Sequence, residues 1–433
     1  MKISFLGAAR EVGRSAILVR GKQNVLLDCG IKISGDKEEY PLLEREDIRE
    51  LDRVVVSHAH LDHSGYAPAL YSHGYRGKVI MTKPTRDLIQ LLLSDYLRIE
   101  KATHAYGDRE LSSLLKNVEV MEYEEKKHGI TLYDSGHILG SAMTLVEDSG
   151  HKILYTADLN TRETRLLEGA KKGIEADTLI IESTYGSVQD QHLSSKEIYA
   201  SLAKEVKETL EHNGKVIIPS FAIGRGQEIL FTLENYLKSK VLPETPIYLD
   251  GMVKKALRIY RHNAIYLKRE VQRRILTSDD DPFKSTYYQY PERKDKSDVL
   301  EQERAVIVTT SGMLNGGPVL FYLKKLAGDP HNKLILVGYQ AEGTKGRKLL
   351  DGEKELDIDG EKVEIKLKVT QAKFSAHSDH KELVEFVKSI RGLKRVFVQH
   401  GEDAKCAEFA QELQKKLKGV KVYAPATGET VEF

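Results

Sequence analysis

Three histidines and one aspartate lie within six positions of each other in the first part of the chain. They belong to the segment SHAHLDHSG, residues 57–65, which directly follows the apolar run RVVV. Polar side chains this dense seldom end a buried strand unless they bind something. Imidazole and carboxylate ligands without a thiolate suit zinc, manganese or iron. The segment therefore predicts a metal site at the end of a strand.

Further candidate ligands follow other apolar strand patterns. His137 comes after LYDSG, Asp158 after ILYTA and His400 after RVFVQ. Because side chains at the ends of different strands can converge, we expect these residues to join the first segment. The complete set exceeds what one tetrahedral ion binds but suffices for two ions that share a bridging carboxylate. Its members are His58, His60, Asp62, His63, His137, Asp158 and His400.

The charge of such a centre indicates the kind of substrate. Two divalent ions bring four positive charges, and Asp62 and Asp158 return two negative charges. A centre that stays positive suits an anionic substrate and promotes the ionisation of a bridging water. A single histidine is more often an ordinary core or surface residue, but HxHxDH after a buried strand is a specific metal-site signal.

The composition excludes several classes of protein. Among 433 residues, 66 lysines and arginines face 65 aspartates and glutamates, so any nucleic-acid-binding surface must be local. The two cysteines, Cys29 and Cys406, exclude a thiolate zinc cluster and fit a reducing cytoplasm. No apolar run approaches the roughly 20 residues of a membrane span, and we expect no signal peptide.

Short strands and helices must position the candidate ligands. The first 185 residues contain short aliphatic segments broken by Gly, Asn and Asp, which predict strands. A longer helical pattern, TRDLIQLLLSDYLRIE, follows Pro84. From about residue 190 helices alternate with buried strands, and residues 370–433 return to the first style. We therefore expect an α/β sandwich into which the middle of the chain is inserted.

Loops of the middle region are candidates for binding substrate. In parallel sheets, ligands bind beyond the carboxyl ends of strands, where Asp250 and Gly338 also lie. Hydroxyl, guanidinium and backbone N–H groups there could hold a phosphate, although the glycines equally suit tight turns. The residues with this prediction are Ser220, Arg225, Ser311 and Gly312.

A basic segment of the middle region is a second candidate for binding substrate. Lys254, Arg258 and Arg261 have the spacing of one helical face, which could grip backbone phosphates. A solvated amphipathic helix explains this pattern equally well. Three tyrosines that could stack on bases, but more commonly would pack in a loop, are Tyr287, Tyr288 and Tyr290.

Many segments resemble the motifs of a known family. HAHLDH, LLDCG, SGHILGS and YTADLN resemble motifs of the metallo-β-lactamase superfamily. IIESTYG, SAHSDH and VQHGE resemble the three additional motifs of its β-CASP branch, the nucleic-acid-processing nucleases. The likeness covers essentially the whole chain. It looks closest to the 73-kDa cleavage and polyadenylation specificity factor nuclease and its archaeal homologues, in the form without KH domains.

This resemblance implies a fold and a division of the chain. The fold is a metallo-β-lactamase αββα sandwich with an inserted β-CASP α/β domain of mainly parallel sheet. The expected ranges are 1–187 for the first part of the metallo-β-lactamase domain, 188–366 for the β-CASP domain and 367–433 for the C-terminal part of the first domain.

The resemblance also implies two Zn²⁺ ions per chain and the ligands of each ion. In such a centre a water between the ions would supply the nucleophilic hydroxide. The ligands implied for the first ion are His58, His60 and His137. Those implied for the second ion are Asp62, His63 and His400. Asp158 would bridge the two ions.

Catalytic roles are implied for His377, Glu182, Asp28 and, besides its role as a ligand, Asp62. Asp28 orients a ligand histidine or the bridging water. Glu182 pairs with His377, because a carboxylate favours the imidazolium that can protonate the leaving 3′-oxygen of a phosphodiester.

The predicted function is zinc-dependent hydrolysis of RNA in 3′-end processing or turnover. In the family, a histidine at the position of His400 goes with RNA substrates. We expect endonucleolytic cleavage of single-stranded RNA, and a 5′→3′ exonucleolytic mode stays open. A ribonuclease J-like 5′→3′ exoribonuclease is the alternative. A small-molecule metallohydrolase leaves Glu182 and His377 unexplained, and a non-catalytic scaffold subunit would lack ligands. We expect a homodimer in the cytoplasm that associates with RNA-processing proteins. We expect no association with a membrane.

Overall fold

The chain folds into two compact units. The structure is a computed structural model that describes residues 1–34, 37–98 and 104–433. Unit 1 comprises Met1–Glu163, Glu168–Gln191 and Ala376–Phe433; unit 2 comprises Thr164–Leu167 and His192–Ser375.

Unit 1 contains two seven-stranded sheets. The first sheet, in spatial order, is β24 (Thr430–Glu432), β1 (Lys2–Gly7), β2 (Ala16–Arg20), β3 (Asn24–Leu27), β6 (Arg53–Val55), β7 (Lys78–Met81) and β8 (Val118–Val120). The second sheet is β23 (Lys421–Tyr423), β22 (Arg395–Gln399), β13 (Thr178–Glu182), β12 (His151–Tyr155), β11 (Ala142–Asp148), β10 (Ile130–Asp134) and β9 (Lys126–Lys127). A small hairpin pairs β4 (Lys32–Ser34) with β5 (Lys37–Glu39).

Helices cover the outer faces of these sheets. Alternate residues of both sheets, such as Phe5 and Phe397, form one core between them. The opposite face of the second sheet packs against apolar residues of the last two helices, such as Phe386 and Phe409. The helices of unit 1 are α1 (Arg45–Arg49), α2 (Leu61–Ser64), α3 (Ala69–Ser72), α4 (Lys83–Tyr96), α5 (Asp108–Lys116), α13 (His380–Ser389) and α14 (Asp403–Lys416). The predicted αββα sandwich is confirmed.

The helix predicted after Pro84 is α4. Thr82 caps it by accepting a hydrogen bond from the Thr85 N–H, and Pro84 occupies the first turn, where its missing N–H has no helical partner. The last two residues of the predicted pattern lie outside the described part of the chain.

Unit 2 is built on one six-stranded sheet in which all pairings are parallel. Its strands, in spatial order, are β16 (Tyr288–Gln289), β15 (Ile247–Leu249), β17 (Ala305–Thr309), β14 (Lys215–Pro219), β18 (Lys333–Val337) and β21 (Lys368–Ala372), and a separate hairpin joins β19 (Glu355–Ile358) to β20 (Glu361–Glu364). The helices are α6 (Ser195–Glu211), α7 (Arg225–Lys238), α8 (Val253–His262), α9 (Arg269–Leu276), α10 (Ser297–Leu300), α11 (Pro318–Leu326) and α12 (Lys345–Leu350), with 3₁₀ turns at Ala264–Tyr266 and Pro282–Lys284.

The edges of the compact units differ from the ranges expected from the sequence. Residues 367–375 lie in unit 2 rather than with the C-terminal part of the first domain, because β21 pairs with β18. Residues 188–191 lie in unit 1, and the short loop 164–167 lies in unit 2. In the described part of the chain, no helix is long and apolar enough to cross a membrane.

One glycine of unit 1 is expected to be far less replaceable than another. Gly136 and Gly150 both have a left-handed backbone, with φ of +69° and +80°. A Cβ on Gly136 would lie 2.2 Å from the Asn160 carbonyl oxygen, whereas a Cβ on Gly150 would meet nothing within 4 Å. We expect Gly136→Ala to lower the free energy of unfolding by about 1–3 kcal/mol more than Gly150→Ala, because only the first overpacks its surroundings. Urea denaturation of both variants measures this, and equal losses would contradict it.

Candidate metal centre

The segment SHAHLDHSG forms the connection between β6 and α2. His58 follows the end of the strand, His60 is the residue before the first turn of the helix, and Asp62 and His63 lie on that turn. His58 and His63 are fully buried. The helix is only one turn long and has no extended apolar face, so its polar residues can point into the interior.

The first group of candidate ligands consists of His58, His60, His137 and Asp158. His60 Nδ1 lies 3.2 Å from His58 Nε2 and 3.1 Å from His137 Nε2. Asp158 Oδ2 lies 3.5 Å from His58 Nε2 and 3.4 Å from His137 Nε2. A tetrahedral zinc ion with bonds of about 2.0 Å would hold its ligand atoms about 3.3 Å apart. The spacing of this group therefore fits a zinc ion.

The second group consists of Asp62, His63 and His400. Asp62 Oδ2 lies 3.7 Å from His63 Nε2 and 3.4 Å from His400 Nε2. Asp158 Oδ1, the other oxygen of the carboxylate in the first group, lies 3.1 Å from His63 Nε2. Asp158 thus presents one oxygen to each group.

Two atoms of the centre fit a bound cation particularly well. Within the described residues, Asp158 Oδ1 and His400 Nε2 are buried and make no hydrogen bond. Buried polar atoms nearly always have a partner, so each of these two atoms indicates a ligand in its surroundings. The donor set of imidazole and carboxylate groups is one that zinc accepts.

The protonation of the first group also suits metal binding. Burial lowers the pKa of His60 to about 3, and burial likewise lowers the pKa values of His58 and His137. These imidazoles are therefore neutral near pH 7 and offer lone pairs to a metal. Burial alone would raise the pKa of Asp158, but the charge of His63 and its neighbours holds this pKa well below its usual value.

Asp28 holds one ligand of the second group in position. Its Oδ2 accepts hydrogen bonds from His63 Nδ1 at 2.7 Å, from the Ser57 hydroxyl at 2.8 Å and from the Tyr155 hydroxyl at 2.8 Å. Its Oδ1 accepts one from the Ser57 N–H at 2.7 Å. Because His63 Nδ1 faces Asp28, its Nε2 is directed at the candidate metal position.

Glu182 and His377 lie side by side next to this centre. His377 Nδ1 lies 2.9 Å and 3.0 Å from the two carboxylate oxygens of Glu182. Its Nε2 lies 3.9 Å from Asp158 Oδ2. Although Glu182 also lies among the potential ligands, its oxygens already accept hydrogen bonds from the N–H groups of Leu159 and Thr184. It is therefore better placed to orient His377 than to bind a metal.

Several groups that position the candidate ligands were not predicted from the sequence. Tyr155 and Ser57 anchor Asp28, the Ala376 carbonyl lies 2.9 Å from His137 Nδ1, and the Thr184 hydroxyl lies 3.3 Å from His400 Nδ1. The Ser141 hydroxyl accepts a hydrogen bond from the His137 N–H at 3.2 Å. These groups lie within or beside motifs quoted above, but apart from Ser141 their contacts are made with distant parts of the chain.

Residues predicted to bind phosphate in unit 2 have different surroundings. Ser220 is fully buried after β14, and its Oγ has no hydrogen-bond partner among the residues that the structure describes. Ser311 Oγ donates to the Gly316 carbonyl at 3.0 Å. Gly312 packs against the Ser220 backbone, since a Cβ there would lie 3.2 Å from the Ser220 carbonyl carbon. Arg225 begins α7. The structure thus brings Ser220 and the 311–312 turn together.

The basic face of α8 is only partly available to phosphates. Arg258 is exposed, and Lys254 Nζ lies 3.6 Å above the centre of the Tyr290 ring. Arg261 Nε contacts Asp281 at 2.5 Å, so part of its charge is already neutralised. Tyr288 is buried. Its ring therefore cannot offer a face to a base, which agrees with the packing expected as the more common role of such tyrosines.

The strand-end residues Asp250 and Gly338 have structural surroundings. Asp250 Oδ2 accepts hydrogen bonds from Lys296 Nζ at 2.6 Å and from the Tyr322 hydroxyl at 2.9 Å. Gly338 has φ of +78°, and its N–H donates to the Ala372 carbonyl. The Asp250 carboxylate is therefore engaged within unit 2.

The sandwich fold and a buried histidine–aspartate centre define a metal-dependent hydrolase of the metallo-β-lactamase class. Three family models match consecutive parts of the chain. They are the metallo-beta-lactamase superfamily at residues 9–209, the Beta-Casp domain at 226–349 and the Zn-dependent metallo-hydrolase RNA specificity domain at 362–425.

Curated relatives match the full length of the chain. A transcription termination factor FttA from Methanosarcina mazei is 36% identical over 100% of this chain and 72% of its own length. The same factor from Methanocaldococcus jannaschii is 38% identical over 96% of this chain and 69% of its own length. An RNase J-like protein from M. jannaschii is 41% identical over 98% of both chains. The chain therefore belongs to the β-CASP family of metallo-β-lactamase-fold RNA nucleases, and it is a zinc-dependent hydrolase of RNA phosphodiesters.

A solved structure shares the fold at low sequence identity. It is the crystal structure of a protein of unknown function from Enterococcus faecalis V583, with a TM-score of 0.59, 12% identity and 99% coverage of both chains. This likeness concerns the fold alone.

Replacing Asp28 by asparagine is expected to weaken zinc binding. The amide keeps the size of the carboxylate but carries no negative charge to hold the His63 N–H, so we expect a loss of about 10- to 100-fold in zinc affinity. Competition with a chromophoric zinc chelator measures the affinity. Asp403→Asn is the matched control, because Asp403 forms an exposed ion pair with Arg10. Equal zinc affinities of the two variants would contradict the role of Asp28.

Proposed function

We propose that this protein is a two-zinc endoribonuclease that cuts single-stranded RNA during 3′-end formation or termination of transcripts. The observation that carries the proposal is the placement of Asp158, whose two oxygens face two separate groups of ligands. One carboxylate shared in this way suits a pair of ions rather than a single one.

Each group of side chains would hold one ion. When bound, two zinc ions lower the pKa of a shared water and neutralise charge on phosphoryl oxygens. The chain supplies four histidine or aspartate ligand atoms for the first ion and four for the second, counting one Asp158 oxygen for each. These ligands are His58, His60, His137 and Asp158 Oδ2 for the first ion, and Asp62, His63, His400 and Asp158 Oδ1 for the second.

His377 is proposed as the proton donor of the reaction. Its Nδ1 faces Glu182, and its Nε2, on the other side of the ring, lies 3.9 Å from Asp158 Oδ2. A proton held at Nε2 would thus lie beside the metal centre, where a departing 3′-oxygen must be protonated. The two oxygens of Glu182 keep the ring from turning, because Nδ1 contacts both of them.

The names of the relatives suggest two modes of action. FttA proteins are named as transcription termination factors, which agrees with a role at transcript 3′ ends. A ribonuclease J-like 5′→3′ exoribonuclease is the second candidate. It is favoured by the relative named RNase J-like, which matches 98% of both chains.

The surroundings of the reaction are part of the same proposal. Ser220, Arg225 and the 311–312 turn would contact substrate phosphates in unit 2, as would Lys254 and Arg258 on α8. We further propose that the protein acts as a homodimer with RNA-processing partners in the cytoplasm, where the buried free thiols of Cys29 and Cys406 stay reduced.

Loss of a shared or central ligand should abolish cleavage. We expect His60→Ala and Asp158→Ala to cut labelled single-stranded RNA no faster than the chelator-treated wild type, with unchanged circular dichroism. A circular RNA distinguishes the modes, because only an endonuclease opens it, and 5′-capped and 5′-phosphorylated linear RNAs complete the comparison. Cleavage by either variant at the wild-type rate would exclude the two-zinc mechanism. An uncut circle together with degraded 5′-phosphorylated RNA would favour the exonuclease.

Removal of the proposed proton donor should slow chemistry without weakening RNA binding. We expect His377→Ala to lower the single-turnover rate by roughly 10²- to 10⁴-fold, while the Kd for RNA changes less than threefold. His380→Ala is the control, because His380 packs between the Gly186 carbonyl and Glu412. Similar losses of rate and of affinity in the His377 variant would reject its role as an acid.

A further inference from the structure

Exposed aromatic rings are rare in this protein. Within the described ranges only three phenylalanine or tyrosine side chains are exposed, namely Phe221, Tyr339 and Tyr423. Phe221 is 39% exposed and Tyr339 is 56% exposed. Both belong to unit 2, whereas Tyr423 lies in unit 1 and stacks on Phe397. Two exposed rings in one unit call for an explanation, because large apolar side chains are usually buried.

The two rings leave the same edge of one sheet. Phe221 is the second residue after β14, and Tyr339 is the second residue after β18. These strands are hydrogen-bonded neighbours and run parallel, with Ile217 opposite Leu334. Their carboxyl ends therefore lie side by side, which is where parallel sheets bind their ligands.

Gly312 lies against both loops. A Cβ on Gly312 would be 3.4 Å from Phe221 Cδ2 and 3.1 Å from the Phe221 nitrogen. On the other side, Gln340 Nε2 donates a hydrogen bond to the Gly312 carbonyl at 3.2 Å, directly next to Tyr339. The absence of a side chain at Gly312 leaves the Phe221 ring uncovered there.

The surroundings of these rings favour a nucleic-acid base over a protein partner. A protein interface needs a contiguous apolar patch. The other exposed large apolar residues of unit 2 are Leu193, Val241, Ile265 and Leu276, and none of them lies in the loops of Phe221, Gly312 or Tyr339. Isolated rings beside bare glycine backbone instead suit flat bases, because every base has a face that stacks on an aromatic ring.

We propose that Phe221 and Tyr339 form a base-stacking platform for single-stranded RNA on unit 2. The proposal rests on the ribonuclease function above and extends it by naming the residues that contact bases. Stacking on rings tolerates any base, so the platform holds the strand without selecting a sequence. Unlike Tyr288, which is buried, these two rings are reached by solvent.

Variants that lose the aromatic ring but stay apolar, compared with variants that keep a ring, test the platform. The Kd is measured by fluorescence anisotropy with an oligouridine of about ten nucleotides, using His377→Ala protein so that the RNA stays intact. We expect added Phe221→Leu or Tyr339→Leu to weaken binding about tenfold each. Phe221→Tyr and Tyr339→Phe keep a ring and should bind within about twofold of the parent. Tyr423→Leu is the control on the other unit.

A second probe separates stacking from a structural effect. An abasic oligoribonucleotide of the same length keeps its phosphates but offers no bases, so the leucine variants should bind it as the parent does. Unchanged oligouridine affinity in the leucine variants would overturn the proposal, and so would an equal loss for both probes.

A third measurement distinguishes failure of this inference from failure of the proposed function. Hydrolysis of bis(p-nitrophenyl) phosphate by zinc-loaded protein with native His377 reports the metal centre without RNA. The leucine variants should show the circular dichroism spectrum of the parent, and a changed spectrum would overturn the platform by showing that the rings support the fold. Wild-type protein that hydrolyses neither this ester nor RNA would refute the ribonuclease proposal, while the anisotropy result would still decide the platform.

Discussion

The carboxylate of Asp158 is 2% exposed, and it lies between 3.1 and 3.9 Å from the nearest nitrogens of five imidazole rings. A buried charge costs several kcal/mol unless opposite charge and hydrogen bonds offset that cost. Among the described residues Asp158 Oδ1 makes no hydrogen bond, so the offsetting charge must come from protonated neighbours such as His63 or from cations when they are bound. The position of every proposed ligand is consistent with this requirement. The rings that surround Asp158 are those of His58, His63, His137, His377 and His400.

Strand pairing explains why these groups converge. β12, β13 and β22 are parallel neighbours, with Glu182 opposite Gln399. Asp158 and His400 come just after two of these strands, and Glu182 ends the third. Parallel strands bring their carboxyl ends to one edge, so residues far apart in sequence meet there. Two buried carboxylates, Asp28 and Glu182, then orient the imidazoles of His63 and His377.

Much of the centre could be read from local patterns. The apolar run before HxHxDH predicted a strand with metal ligands at its end, and this strand is β6; the helical turn α2 that carries Asp62 and His63 was not predicted. The serine before α6 caps that helix together with Glu197, as expected for a helix start. Local patterns were weaker guides to the surface of unit 2. Arg261 has the spacing of a phosphate-binding face, but its charge is used by Asp281, 20 residues further along the chain.

The sequence by itself determined which side chains are candidates for the chemistry, because ligand type and strand-end position follow from short motifs and hydrophobic patterning. The tertiary structure alone decided how they are used. It placed one Asp158 oxygen toward each ligand group, set Glu182 against His377 across 195 residues, and joined Tyr155 to Asp28 across 127 residues. It also buried Tyr288 while leaving Phe221 and Tyr339 exposed. Burial and hydrogen-bond partners come from elements that meet only when the sheets assemble, and no short stretch of sequence contains that information.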